Sequence, residues 1–321
     1  MDRIILVTEP LPRHLQELLQ NTAGELGFTA KFASPDMPEF SDLINQCEIF
    51  FGIYDPKQAI PENIKWICLP LAGVNNYLNK PELLNGRCIL TSSSGAYGTT
   101  IAEHLIMSIL MILRRMPEYI QDKQENIWRH DRQLSSIYGS RIVILGTGDI
   151  GTSFASVASS FHPRSIIGVN RTGTTHHNCY TQVRKISELE QLLPETDILV
   201  MALPETPDTI RILNRERIDL LPNTAVVANV GRGSSIQEDA LTEALVQKQI
   251  LGACLDVLEK EPPAKDNILL TLPNVLITPH MAGQRTLNRT IEIMLDLFLK
   301  DLDHYYHGEK LEKTVDLHKG Y

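Results

Sequence analysis

The stretch RIVILGTGDIG, Arg141–Gly151, decides how this chain is read. A short apolar run, Ile142–Leu145, meets Gly146, Gly148 and Gly151 in the spacing G-x-G-x-x-G. A helix-compatible stretch, Thr152–Ser160, follows, and a second strand-like run, Ser165–Asn170, comes at βαβ distance. Gly146 permits a tight turn out of a strand. Gly148 lets the backbone approach a pyrophosphate with no Cβ in the way. Gly151 lets the new helix pack closely on the strand, and the helix N-terminus supplies free N–H groups and a positive dipole end. The order strand, turn, helix, strand makes this a dinucleotide-binding turn, with Gly146, Gly148, Asp149, Ile150 and Gly151 as candidate contacts.

Outward from that turn the pattern continues. Strand-like runs fall at Ile142–Leu145, Ile166–Asn170, Ile198–Ala202, Ala225–Val230, Gly252–Val257 and Val275–Thr278. Six runs with helical stretches between them predict a doubly wound Rossmann domain. The first third carries its own runs at Ile4–Thr8, Phe28–Phe32, Ile49–Ile53, Trp66–Leu69 and Cys88–Thr91, which predict buried parallel strands with helical crossovers. Between the two series, Thr99–Arg115 is apolar on most sides, so it is expected to lie between two packed bodies. Pro117 disturbs that helix, and Glu118–Tyr138 is polar, with Trp128 as its expected anchor. A last helix is expected over Thr286–Tyr306. The fold class is therefore α/β in two domains: residues 99–283 as the Rossmann domain, residues 1–98 and 284–321 as a discontinuous flavodoxin-like domain, and a site in the cleft between them.

Composition narrows the partners. The 321 residues are 43% hydrophobic and 21% charged, with a formal net charge of -9. No long basic stretch exists to track a polyanion, which argues against nucleic acid or a membrane surface. The apolar run after Met1 is too short for a signal peptide, and no run could span a bilayer. Cys47, Cys68, Cys88, Cys179 and Cys254 lie far apart and read as free thiols, with no metal-ligand spacing. A cytoplasmic protein is the expectation.

Three sequences follow successive strands of the second series: Asn229–Gly233 (NVGRG), Asp256–Pro263 (DVLEKEPP) and Thr278–Gly283 (TPHMAG). Ligands of open α/β sheets bind beyond the carboxyl ends of strands, so an arginine, a carboxylate and a histidine can converge there. With the glycine turn, these motifs in this order resemble the D-isomer-specific 2-hydroxyacid dehydrogenases, over nearly the whole chain. The resemblance implies a reversible, NAD(P)-dependent reduction of a small 2-keto acid to a D-2-hydroxy acid, by a protein that is usually a homodimer. Thr99–Arg115 and the Trp128 segment would suit such an interface.

The chemistry then assigns roles. Arg232 offers a planar fork of donors to the substrate carboxylate. A protonated His280 donates to the carbonyl oxygen as hydride reaches carbon, and a neutral His280 accepts the hydroxyl proton in reverse. Glu261 is expected to hold the imidazole and favour its charged form. Glu259 beside it is the competing carboxylate.

By resemblance, Asp256 contacts the nicotinamide carboxamide, Leu203, Pro204 and Thr209 line the adenine and ribose side, and Val230, Gly231 and Gly283 lie along the coenzyme. The loop Leu69–Asn75 (LPLAGVN) resembles the segment whose backbone binds the substrate carboxylate, here through Gly73 and Val74, with Asn75 in place of the usual aspartate. Tyr97 either faces the site or packs between the domains, and His104 reads as a core histidine.

Asn170, followed by Arg171 and Thr172, stands where NAD-specific domains carry an acidic residue against the ribose hydroxyl. NADP is therefore favoured, with Asn170 on the ribose of NAD as the alternative. A cofactor-sensing regulator on the same fold is the rival from another class. Formate dehydrogenases carry glutamine at the position of Glu261 and rank lower.

Overall fold

A computed structural model of the chain describes residues 3–285 and 287–320. It divides into two compact units, Met1–Ala96 with Arg285–Tyr321, and Tyr97–Gln284.

In the first unit, β1 (Arg3–Val7), β2 (Phe28–Phe32), β3 (Ile49–Phe51), β4 (Trp66–Leu69) and β5 (Ile89–Ser92) form a parallel sheet in the order β2-β1-β3-β4-β5. This is the flavodoxin-like order, which reverses beside β1. Helix α1 (Arg13–Glu25) buries Leu15, Leu19 and Ala23, spaced one turn apart, so its apolar stripe meets the sheet. The C-terminal helix Asn288–His307 does the same with Ile291, Leu295, Phe298 and Leu302. Its Phe298 stacks on Phe51 and on Trp66, with ring centroids 4.4 and 5.0 Å apart. Thr286, the expected first residue of that helix, lies outside the described residues.

The second unit holds β6 (Arg141–Leu145), β7 (Ser165–Asn170), β8 (Gln182–Lys185), β9 (Ile198–Met201), β10 (Val226–Asn229), β11 (Gly252–Leu255) and β12 (Val275–Ile277). They form one parallel sheet in the order β12-β11-β10-β9-β6-β7-β8. From β8 to β11 this is the doubly wound dinucleotide-binding order, extended by β12. Strands β9, β10 and β11 are buried along their whole length, which is why they read as continuous apolar runs.

Three expectations are corrected. The sheet has seven strands where six were expected, because β8 (QVRK) is a half-exposed edge strand with a single large apolar residue. Helix α2 (Gly98–Leu113) buries one face, through Ile101, Leu105, Ile109 and Ile112, within its own unit. Met107 outside that face is 46% exposed, so apolar composition overstated the burial. Trp128 is 95% exposed and anchors nothing among the described residues. Its segment is held instead by Arg132, which pairs with Asp122 of helix α3 (Met116–Gln124) and stacks 4.7 Å over the Tyr119 ring.

Candidate active site

The glycine turn after β6 has the shape a pyrophosphate needs. Gly146 has a φ of +99°, and a Cβ there would lie 2.5 Å from the Ala202 carbonyl oxygen. A Cβ on Gly151 would lie 2.0 Å from the Gly146 oxygen, so only glycine lets helix α4 (Asp149–Ser159) come this close to its strand. At Gly148 a Cβ would meet nothing within 4 Å, and the helix begins there with no side-chain cap. Asp149 and Ile150 form its first turn. Open space beside uncapped N–H groups fits a dinucleotide diphosphate.

At the end of β7 the Asn170 side chain organises its own loop. Its Nδ2 donates to Thr147 Oγ1 at 2.7 Å and to the Thr174 carbonyl at 2.8 Å. Its Oδ1 accepts the amides of Thr172 and Gly173, at 3.1 and 2.7 Å. The amide thus staples the Arg171–Thr174 turn to the glycine turn. After β9, Thr209 folds the Leu203–Pro204 loop on itself, its hydroxyl donating to the Pro204 carbonyl at 2.7 Å.

Beyond β10, Val230 and Gly231 lead into Arg232. Asn229, fully buried, accepts the Gly231 amide at 3.0 Å and donates to the Arg232 carbonyl at 2.9 Å, which shapes the turn. The Arg232 guanidinium donates to the Gly231 carbonyl at 2.7 Å. No carboxylate pairs with it among the described residues, so its charge suits an incoming anion.

The loop after β11 carries Glu261. Its Oε1 accepts the Leu258 amide at 3.0 Å, and its Oε2 lies 2.8 Å from His280 Nδ1. The competing Glu259 is taken up elsewhere, in a 3.0 Å pair with Arg211. His280 follows β12 with a φ of +51° and donates its amide to the Asp256 carbonyl at 2.8 Å. Both Asp256 carboxylate oxygens accept loop amides, Oδ1 from Met281 at 2.9 Å and Oδ2 from Ala282 at 3.0 Å. Arg232, Glu261, His280 and Asp256 therefore share the carboxyl end of one sheet.

Tyr97 is only 4% exposed, and its ring lies beside Gly283. Gly73 and Val74 lie in the first unit, in the loop after β4. Val74 is buried, and its carbonyl accepts the Tyr77 amide at 2.9 Å.

Sequence reading missed Asn229, Glu238 and Thr278. Glu238 accepts the Glu259 amide at 2.8 Å, and Thr278 donates to Asp256 Oδ1 at 2.6 Å. For Asn229 and Thr278 a signal existed: each is a polar residue closing an apolar strand. Glu238, in the first turn of a surface helix, gave none.

The family model of the D-isomer specific 2-hydroxyacid dehydrogenase NAD-binding domain matches residues 106–282. An uncharacterized protein of Corynebacterium melassecola is 31% identical over 286 residues, 85% of this chain and 89% of its own. The hydroxyphenylpyruvate reductase of Plectranthus scutellarioides is 34% identical over 229 residues, 70% of each chain. A D-isomer specific 2-hydroxyacid dehydrogenase family protein of Aeromonas salmonicida has a crystal structure that superposes with a TM-score of 0.83 at 26% identity, covering 99% of this chain and 100% of its own. The chain belongs to the D-isomer-specific 2-hydroxyacid dehydrogenase family.

Proposed function

We propose that this protein is an NADP-linked reductase of small 2-keto acids, working reversibly and giving a D-2-hydroxy acid. The observation that carries the reading is the Glu261–His280 pair at 2.8 Å, with Arg232 on the neighbouring strand end. An intact acid–base pair supports an enzyme over a sensing protein. The relative named hydroxyphenylpyruvate reductase bears a 2-keto acid in its name, which supports the substrate class.

In this reading the nicotinamide supplies or takes the hydride. Arg232 grips the substrate carboxylate, and the backbone of Gly73 and Val74 adds N–H donors. Glu261 engages Nδ1 of His280, so Nε2 is the nitrogen that delivers a proton to the carbonyl oxygen and recovers it in reverse. Residues 1–98 and 284–321 then serve as substrate domain and residues 99–283 as coenzyme domain, where Asp256 is the residue that would meet the carboxamide of a bound nicotinamide.

The coenzyme preference rests on the Asn170 staple. That side chain is spent on its own turn, the strand ends on an amide where a carboxylate would repel a 2′-phosphate, and Arg171 beside it carries the charge that suits one. A homodimer belongs to the same reading, with the exposed Met107, Ile120, Ile127 and Trp128 as its apolar face. Five free cysteines agree with a reducing cytoplasm.

Steady-state kinetics with glyoxylate and hydroxypyruvate, using each coenzyme, test the reading. The expected result is turnover with a preference for NADPH of roughly ten- to hundredfold, from one charge-assisted contact. Arg171→Ala should remove most of that preference. Wild-type preference for NADH would refute the coenzyme assignment, and no turnover with any 2-keto acid would refute the function.

A further inference from the structure

Under the loop that carries His280, three side chains from three elements form one hydrogen-bonded chain. His104 comes from α2, Asp256 from the end of β11, and Thr278 from the end of β12. Thr278 Oγ1 lies 2.6 Å from Asp256 Oδ1 and 3.2 Å from His104 Nε2. A carboxylate only accepts, so the threonine hydrogen is committed to Asp256 and its oxygen accepts from His104. His104 must then present Nε2–H. Burial pushes its imidazole below the ordinary histidine range, against the opposing pull of Asp256, which keeps the ring neutral in that tautomer at neutral pH.

The far end of the chain is the backbone of the His280 loop. Asp256 takes the amides of Met281 and Ala282 on its carboxylate and the amide of His280 on its carbonyl. His280 itself sits at a φ of +51°, a conformation that a residue with a Cβ holds only when its neighbours impose it. The imidazole is half exposed, and Glu261 holds its Nδ1 at 2.8 Å. Its aim thus depends on the backbone beneath it. The His104 side chain is only 10% exposed, and Asp256 is buried.

We propose that His104 and Thr278 are positioning residues, which act through Asp256 to clamp the Met281 and Ala282 amides and so fix the His280 imidazole for proton transfer. The proposal rests on the acid–base reading of His280, and it gives a specific duty to a histidine that reads from sequence as plain core.

The test uses the full chain and two pairs of variants. Thr278→Val and His104→Phe keep size and remove the hydrogen bond, while Thr278→Ser and His104→Gln keep a group able to make it. Two readouts are taken: turnover of hydroxypyruvate with NADPH, and hydrogen exchange at the Met281 and Ala282 amides. Thr278→Val and His104→Phe should lower kcat about tenfold, the scale of a small misplacement of a reacting group, with KM for NADPH within about twofold. Exchange at the two amides should quicken about tenfold, the equivalent of one lost hydrogen bond. Thr278→Ser and His104→Gln should bring both readouts back toward wild type.

Unchanged exchange in both Thr278→Val and His104→Phe overturns the proposal. So does a serine variant as impaired as the valine one, or a loss spread equally over kcat and both KM values. Should Thr278→Val fail to fold, the His104 pair decides. Should wild type turn over no 2-keto acid, the function reading falls, and the exchange measurements still decide whether the clamp exists.

Discussion

Gly233 and Leu258 approach so closely that a Cβ on the glycine would lie 1.9 Å from the Leu258 carbonyl oxygen. This contact joins the turn of Arg232 to the loop of Glu261, since the Leu258 amide donates to Glu261 at 3.0 Å. Backbone meets backbone there, so no side chain can yield. Gly233→Ala should push the two loops apart and misplace the anion grip and the proton donor together. The expected loss in kcat/KM is about a hundredfold, the scale for a misplacement of roughly 1 Å. Coenzyme binding, followed by NADPH fluorescence, should fall less than kcat/KM, because the turn after β6 is untouched. Wild-type kinetics in this variant would show that the loops relax freely.

The two neighbouring carboxylates give a sharp contrast. His280→Gln should lower kcat by roughly 10²–10⁴-fold, the range for lost acid–base catalysis, with unchanged coenzyme affinity. Glu261→Gln keeps the shape but removes the charge against the imidazole, and should cost about tenfold for one weakened charge-assisted contact. Glu259→Gln should leave kcat at wild type, since Glu259 is engaged by Arg211 on the surface. Equal effects from the two glutamates would remove Glu261 from its role.

Much of this was legible because parallel sheets bury both faces of their strands. Runs such as Ile198–Met201 and Val226–Asn229 stand out as apolar blocks, and the motif residues sit directly after them. β8 was lost for the same reason: at the sheet edge nothing demands apolar residues. Trp128 misled because aromatic character signals burial only when a surface to bury against is known. Asn170 reads from sequence as a coenzyme contact, while its bonds to Thr147, Thr174 and Gly173 are not legible there. Only coordinates show where an amide spends its hydrogen bonds. The same holds for His104 and Thr278, which lie far apart in sequence and meet through Asp256.

Among the described residues Arg232 pairs with no carboxylate, and its guanidinium donates to the Gly231 carbonyl at 2.7 Å. Arg232→Lys should raise KM for the keto acid by about tenfold or more, since an ammonium cannot make the paired contact of a guanidinium. KM for NADPH should stay near wild type. A lysine variant with unchanged keto acid KM would remove Arg232 from substrate binding.

Glu48 offers a prediction on stability in the first unit. Arg3 donates to it at 3.0 and 2.7 Å, and the Tyr305 hydroxyl donates at 3.0 Å. The two bonds from Arg3, more than the one from Tyr305, hold the Glu48 carboxyl below the usual carboxylate range, against the opposing effect of burial. A depressed folded value means that the charged form stabilises the fold. That stabilisation is complete above the unfolded value, about 4.3 for glutamate, and is lost as pH falls through the folded value. Glu48→Gln should therefore destabilise the unit by about 1 kcal/mol at pH 7, a modest figure because the pair is partly exposed and screened by solvent. At pH values below the folded value the gap should close, since protonated glutamate and glutamine are both neutral and nearly the same shape. Urea unfolding followed by the fluorescence of Trp66, which stacks on Phe298 in the same core, reads this unit. A gap that stays constant from pH 7 down to the end of the acid range would mean that shape, and not charge, holds Arg3 to Glu48.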